Sequence, residues 1–152
     1  MARFTKKTYE KLTNAGWYHN RRVSIDDTLI KLSEINYEVN ETIKDFLIEF
    51  DGINLEYSNG VQHFDFETRY TIYNIENFNL VNNLIGSHCL KVGAFCNNDL
   101  ITAISENGEM FALMLGNYKA GGYRAFKIGE YIDEGIEFIC HYGLNPYKHF
   151  DL

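Results

Sequence analysis

Three polar residues, His63, Asp65 and Glu67, alternate along the segment QHFDFET. On a β-strand such side chains share one face, about 7 Å apart in succession. An imidazole beside two carboxylates could bind a metal ion or act as an acid–base pair. The simpler interpretation is that Phe64 and Phe66 face the core and the three polar residues form the solvated face. That face could also serve as an acidic contact surface, because a sheet is a rigid platform.

Cysteine and histidine occur as two mirrored dipeptides, His88-Cys89 and Cys140-His141. Zinc would require three or four such ligands to converge. Neighbouring residues of a strand point to opposite faces, so His88 and Cys89 are poorly placed to share one metal ion. With Cys96 the cysteines number three, which favours reduced, partly buried thiols over a disulfide framework. We therefore expect no metal and no cofactor.

The sequence gives only weak signals for an anion-binding site or a nucleophilic catalytic site. The pair Arg21-Arg22 could clamp a carboxylate or a phosphate, although an internal pair with Asp26, Asp27 or the acidic third helix is the simpler interpretation. Residues 120–123 (AGGY) could offer backbone amides to an anion, but such a run is more often a flexible turn. No GxSxG, GxxxxGK or GxGxxG motif is present. These observations point away from an enzyme.

Length and composition predict one globular domain over residues 1–152. Hydrophobic residues make up 45% and charged residues 23%, which is ordinary for a globular protein. No apolar run approaches the ~20 residues that a membrane span needs, and the first residues lack the apolar centre of a signal peptide. We therefore expect a cytoplasmic protein without a membrane partner.

The net charge of −7 is unevenly distributed. Of the 14 basic and 21 acidic residues, six basic and one acidic lie in residues 1–22, which leaves eight basic and 20 acidic for the remainder. An acidic body disfavours direct binding of nucleic acid, whose phosphates repel it, and favours a basic partner. The alternative is that the charge only keeps the protein in solution.

The elements that would position these residues form an α+β pattern of helices, a mainly antiparallel sheet of about five to six strands, and a C-terminal helix packed on the sheet. Helix 1 is predicted over residues 6–15, with Gly16 as a left-handed cap and Trp17 as a core anchor. Helix 2 is predicted to begin after Ser24 as N-cap, and helix 3 to run from Asn40 as N-cap to Gly52.

Strands are predicted over residues 53–57 and 61–66, joined by the turn Asn59-Gly60, and less clearly over residues 69–73. Three more are predicted over residues 89–95, 100–105 and 110–115, the last two joined by Asn107-Gly108. These are apolar at both alternating positions, which predicts central strands covered on both faces. A long final helix is predicted over residues 124–142, with the following residues pointing inward: Ile128, Tyr131, Ile132, Ile139 and Tyr142.

The order of several motifs resembles one protein family. A helix ending in AGW, a nearby RRV, then FLIEFDGI followed by HFDF are similar to the third subfamily of the SUKH immunity proteins. Ile85-Gly86, Cys89, Val92-Gly93, the two strands around Asn107-Gly108 and the terminal amphipathic helix continue that pattern over roughly the whole chain. The resemblance implies a small cytoplasmic protein that neutralises a secreted or contact-delivered bacterial toxin by binding it.

We therefore predict an immunity protein that binds one cognate toxin domain and blocks its active site or substrate path by steric and electrostatic means. The acidic body favours a basic toxin domain, such as a nuclease. The predicted contact residues lie on the polar side of strands or in adjoining turns: Asp65, Glu67, Glu106, Glu109 and Tyr118. The alternative is a regulatory module of the same fold that binds a small ligand in an aromatic groove. The identity of the toxin and the oligomeric state stay open.

Overall fold

The elements follow the predicted order. The computed structural model describes residues 2–57, 63–66, 82–95, 100–115 and 123–142. The helices and strands in these ranges are α1 (Lys6–Asn14), α2 (Asp26–Glu34), α3 (Glu41–Phe50), β1 (Asn54–Glu56), β2 (His63–Asp65), β3 (Cys89–Phe95), β4 (Leu100–Ser105), β5 (Met110–Leu115), β6 (Tyr123–Gly129) and α4 (Ile132–Tyr142). A short helical segment also covers residues 82–85. The α+β class is confirmed.

The six strands form one antiparallel sheet in the order β1-β2-β3-β4-β5-β6, so each strand pairs with its neighbours in sequence. The bounds of β3, β4 and β5 are those predicted. Every residue of β4 is buried, because this strand lies inside the sheet and is covered on both faces. Its apolar residues at both alternating positions had predicted this arrangement.

The two faces of the sheet carry separate apolar clusters. The main core joins the sheet to α1, α3 and α4, through residues such as Leu12, Phe46, Leu90 and Ile139. The opposite face carries a smaller cluster made of Cys89, Ile101, Ala103 and Leu113, with Ile85 packed against it. The two clusters explain how residues on alternating positions of β4 can all be buried.

The end of α1 is fixed by a Schellman motif, in which a left-handed residue turns the chain back toward the helix. Gly16 has a φ of 97°, and the Trp17 N–H donates to the Leu12 carbonyl at 2.9 Å. The motif directs Trp17 into the main core, where 5% of its surface is exposed. The predicted cap at Gly16 and the predicted core position of Trp17 are both confirmed.

The start of α2 differs from the prediction. Ile25, and not Ser24, occupies the N-cap position, and no described side chain bonds to the amides of the first turn. Ile25 is buried in the main core, and this burial sets the helix start one residue later than the capping preference of serine would. Asp26 and Asp27 still place favourable negative charge in the first turn.

The predicted helix over residues 124–142 is wrong in its first third, because Tyr123–Gly129 form the strand β6. Phe126 and Ile128 pack toward the main core, whereas Ala125 packs against the smaller cluster on the other face. This alternation has the period of a strand. Tyr131, which a continuous helix would have turned inward, is 59% exposed.

Two glycines allow the chain to fold back from β6 onto α4. A Cβ atom built at Gly129 would lie 2.4 Å from the backbone nitrogen of Gly135, and one built at Gly135 would overlap Met110. No larger side chain fits at this close approach, so the strand ends and α4 starts at Ile132.

Several predictions fall on residues that the structure does not describe: the turn Asn59-Gly60, the strand over residues 69–73, Glu67, Cys96, Tyr118 and residues 120–122. In the described ranges, β1 and β2 lie within the predicted strands over residues 53–57 and 61–66. No helix of the described part of the chain is long and apolar enough to cross a membrane.

Candidate functional site

The polar residues of β2 lie on the face opposite the main core, where His63 is exposed and Asp65 is half-buried, with its Oδ1 atom buried. His63 Nε2 lies 3.5 Å from Asp65 Oδ2. Phe64 and Phe66 are buried, as the simpler interpretation of this strand required. Across the described ranges, no group of three or more His, Cys, Asp or Glu residues is arranged to hold a metal ion. The acidic contact surface on β2 stays a prediction.

Two of the cysteines lie on opposite sides of the sheet. Cys89 belongs to the smaller cluster, whereas Cys140 is buried in the main core. They cannot be ligands of one metal ion, because the sheet separates them. Burial raises the pKa of the Cys140 thiol to about 12 and also raises that of Cys89. Both thiols are protonated near neutral pH, a form that is a poor nucleophile and a poor metal ligand.

A cleft of about 370 Å³, which we call the basic cleft, lies between the N-terminal segment and α3. Its lining residues are Arg3, His19, Asn20, Arg21, Arg22, Asp45, Ile48 and Glu49. It contains the pair Arg21-Arg22, for which the sequence offered either an anion site or an internal contact.

Two of the three arginines in the basic cleft are bonded within the molecule. Arg3 lies 2.6 Å from Glu49 and 2.8 Å from Asp133, and so ties the N-terminus to α3 and α4. Arg21 donates to the backbone carbonyls of Glu49 and Asp51, at 2.6 and 2.9 Å. These carbonyls close the C-terminal end of α3, where a cation is favourable. Arg21 thus bonds to the end of the acidic helix, but through carbonyls and not carboxylates.

A second cleft, of about 410 Å³, has the opposite charge, and we call it the acidic cleft. It brings together the connection between α2 and α3, the residue before β3, and the turn between β4 and β5. Its lining residues are Asn36, Glu38, Val39, Asn40, His88 and Glu106. The sequence distance between its parts explains why a pattern search along the chain could not assemble it.

The acidic cleft begins at a Schellman motif like that of α1. Asn36 has a φ of 59°, and the Tyr37 N–H donates to the Leu32 carbonyl at 2.9 Å. Tyr37 is thereby buried, with 6% of its surface exposed, and its ring stacks on His88 with centroids 4.4 Å apart. Asparagine tolerates the left-handed conformation because its short polar side chain can bond locally. The motif sets the direction in which Glu38 leaves α2.

Asn40 fixes the other wall of the acidic cleft. Its side-chain oxygen accepts from the Ile43 N–H at 3.0 Å, which confirms the predicted N-cap of α3. Its side-chain nitrogen donates to the Glu106 carbonyl at 2.8 Å. One side chain therefore joins the start of α3 to the β4–β5 turn, and the cleft has a defined shape before any partner arrives.

The carboxylates of the acidic cleft are not neutralised within the described structure. Glu38 and Glu106 are exposed, and neither side chain forms a hydrogen bond or ion pair with another described residue. His88 is the only basic residue among the lining residues of this cleft. The cleft therefore offers uncompensated negative charge on a fixed backbone.

The three predicted contact residues that the structure describes, Asp65, Glu106 and Glu109, do not form one patch. Glu106 lies in the acidic cleft, but Glu109 in the same turn is paired with Lys127 at 2.6 Å. Asp65 pairs in register with Ala94 of β3, which pairs with Ile101, five residues before Glu106. At about 3.3 Å per residue, Asp65 and Glu106 are separated by roughly 16 Å along the strand direction.

Sequence reasoning did not select Glu38, and it considered His88 only as a possible metal ligand. A local signal could have indicated Glu38. It lies in the short connection between the end of α2 and the N-cap Asn40, and such a connection must be exposed on one side. The position of His88 in the acidic cleft had no local signal, because its stacking on Tyr37 joins residues 51 positions apart in the chain.

Comparison with known proteins gives one match. The family model described as SUKH-3 immunity protein matches residues 4–142, a segment that includes the acidic cleft and every described strand. No curated protein and no solved structure matches the chain. The match agrees with the resemblance carried by the AGW, FLIEFDGI and HFDF motifs. Since it covers well over half of the 152 residues, the chain belongs to the SUKH-3 immunity protein family.

Proposed function

We propose that this immunity protein neutralises its cognate toxin by binding a basic domain of that toxin, such as a nuclease domain, through the acidic cleft. The observation that carries the proposal is the pair of uncompensated carboxylates, Glu38 and Glu106, in a cleft whose walls are held by Asn40. Membership of the family supports the immunity role and a toxin as partner.

Electrostatics gives a reason for a basic partner. A domain that acts on nucleic acid needs positive charge to bind phosphates. An acidic surface attracts such a domain over a distance, speeds encounter, and competes with the phosphates for the same cations. Because the acidic cleft is already ordered by Asn40 and by the stacking of Tyr37 on His88, little conformational entropy is lost on binding.

Binding alone is sufficient for this role, and we propose that the chain acts without catalysis. Cys89 and Cys140 are buried and protonated, and His63 and Asp65, which lie 3.5 Å apart, belong to no cluster of three metal-ligating residues within the described ranges. The basic cleft and the acidic cleft are both open to solvent, whereas small-molecule sites enclose most of their ligand. These features support a macromolecular partner over the small-ligand alternative.

The test is co-expression of the toxin with the immunity protein in a bacterial host. The double variant Glu38→Gln/Glu106→Gln removes the charge of the acidic cleft and should protect the host only at higher expression. The matched control, Glu10→Gln/Glu130→Gln, removes two exposed acidic residues that contact Lys6 and Lys127. It changes the net charge equally and should protect like the unaltered chain. Equal protection by both double variants would contradict the proposal.

The predicted contacts on β2 can be tested in the same assay. Reversing the charges of Asp65 and Glu67 together should weaken protection if the exposed face of β2 also contacts the toxin. Full protection by that variant, alongside a loss in the Glu38→Gln/Glu106→Gln variant, would restrict the contact to the acidic cleft.

A further inference from the structure

Four large apolar side chains of the described residues are strongly exposed, and their surroundings differ. They are Tyr18 at 58%, Ile30 at 57%, Leu84 at 39% and Tyr131 at 59%. Tyr131 lies beside acidic residues that are already paired, since Glu130 contacts Lys127 and Asp133 contacts Arg3. Tyr18 precedes the residues of the basic cleft. Ile30 alone of the four lies on a helix surface bordered by unpaired acidic residues.

Ile30 lies in the middle of the outer face of α2. Asp27 and Glu34 are three residues before it and four residues after it, so all three side chains share one side of the helix. All three are exposed, and neither acidic side chain bonds to another described residue. We call these residues the Ile30 stripe. Lys31, the one basic residue of α2, is only partly exposed.

Folding accounts for Asp27, whose charge is favourable in the first turn of α2, but not for Ile30 and Glu34. The helix contains a single buried residue, Leu32, so its outer face contributes little to the core. Glu34 is the last residue of the helix, where the negative end of the helix dipole disfavours a carboxylate. An exposed isoleucine and a misplaced carboxylate both depart from local preference, and such departures are expected where a surface serves a function.

We infer that the Ile30 stripe is the apolar centre of the toxin interface, continuous with the acidic cleft. The chain leaves α2 at Glu34 and reaches the cleft residues Asn36 and Glu38 within four positions, so one partner can contact both. The partner that fits is a toxin domain with a small apolar socket for Ile30, bordered by lysine or arginine side chains. Interfaces commonly have such an apolar centre within a polar rim. This inference rests on the proposed function.

The test measures the affinity and kinetics of the purified cognate toxin domain, the one whose lethality the unaltered chain suppresses. Ile30→Ala should weaken binding about tenfold or more, mainly through faster dissociation. The fold should be retained because alanine favours helix at this exposed position, and the melting temperature checks this. The matched control Tyr131→Ala removes an equally exposed side chain and should change affinity less than twofold.

The outcomes separate this inference from the proposed function. An unchanged affinity for Ile30→Ala would overturn the inference, while salt-sensitive binding lost in Glu38→Gln/Glu106→Gln would leave the proposed function standing. Failure of the unaltered chain to bind the toxin would overturn both. If Ile30→Ala instead dissociates a dimer of this chain and leaves toxin binding intact, the stripe contacts a second copy and the inference is overturned.

Discussion

The ends of α1 and α2 share one backbone motif but lead to surfaces of opposite charge. Gly16 and Asn36 both adopt the left-handed conformation, and each is followed by an aromatic residue buried in the core, Trp17 or Tyr37. Beyond Trp17 lies the basic cleft, and beyond Tyr37 lies the acidic cleft. Because the local geometry is so similar, the difference between the two surfaces comes from the side chains.

The charged side chains of the two clefts differ in whether they bond within the molecule. In the basic cleft, Arg3 and Arg21 bond to α3 and α4, and the Trp17 Nε1 donates to Glu49 at 3.1 Å. In the acidic cleft, the carboxylates of Glu38 and Glu106 bond to no other described side chain. The basic cleft therefore stabilises the fold, whereas the carboxylates of the acidic cleft are free of such internal bonds to described residues. Substitutions in the first should alter stability, and those in the second should alter binding.

The largest effect is expected from Trp17→Ala. This substitution leaves a cavity in the main core and removes the bond to Glu49, so it should lower the free energy of unfolding by about 3–5 kcal/mol. Chemical denaturation measures the change. The control is Tyr18→Ala at the next position, which is 58% exposed and should change stability by no more than about 0.5 kcal/mol. Similar losses for both would contradict the assignment of Trp17 as the anchor.

Substitution should lower stability at one left-handed cap and leave it nearly unchanged at the other. Gly16→Ala places a Cβ atom at a φ of 97° and should cost about 1–2 kcal/mol of stability. Asn36→Gly removes the Cβ atom from a position of the same type and should change stability by no more than about 0.5 kcal/mol. Thermal melting of both variants measures this difference. A larger loss for Asn36→Gly than for Gly16→Ala would show that the Asn36 side chain has a further structural role.

Arg3→Ala tests whether the basic cleft stabilises the fold through its ion pairs. The guanidinium bridges Glu49 and Asp133 but is 36% exposed, so screening by solvent limits the expected loss to about 1 kcal/mol. The loss should shrink at high salt. Lys6→Ala is the control, because its side chain is 91% exposed and lies 3.9 Å from Glu10. If Arg3→Ala reduced toxin binding without changing stability, the basic cleft would serve binding and would not stabilise the fold.

The smallest expected effect is on the pH dependence of stability. It comes from Glu137, whose carboxylate joins α4 to the start of α1. Burial alone would raise the pKa of Glu137, but hydrogen bonds from Thr5 and Thr8 outweigh it and lower that pKa below its ordinary value of 4.5. The resulting stability is present above pH 4.5 and is lost as the pH falls through the lowered value. Glu137→Gln should therefore be less stable than the unaltered chain at neutral pH, and the difference should narrow on acidification. A constant difference from pH 7 to pH 3 would contradict this.

The sequence predicted the parts of the fold that local residues decide. Gly16, Asn40 and the strands β3 to β5 were placed correctly, because a left-handed cap, a side-chain N-cap and continuous apolar runs are local signals. The strand β6 was missed because its apolar residues also fit a helical spacing. The deciding contact, between Gly129 and Gly135, depends on how the chain folds back and is visible only in three dimensions.

The candidate site was predicted only in part, for a similar reason. Glu106 was selected as an acidic residue beside a turn, but its role depends on Glu38 and His88, which are distant in sequence. Glu109 looked equivalent, yet Lys127 on β6 pairs with it, and β6 had been taken for a helix. The sequence therefore could not show which acidic residues are paired with basic residues on distant elements.

The most direct test of the account is the salt dependence of the rate at which the purified toxin domain associates with this protein. We expect Glu38→Gln/Glu106→Gln to associate more slowly than the unaltered chain at low salt and to show a shallower dependence on ionic strength, with an unchanged free energy of unfolding. An association rate and a salt dependence equal to those of the unaltered chain would contradict the central claim that the acidic cleft receives the toxin.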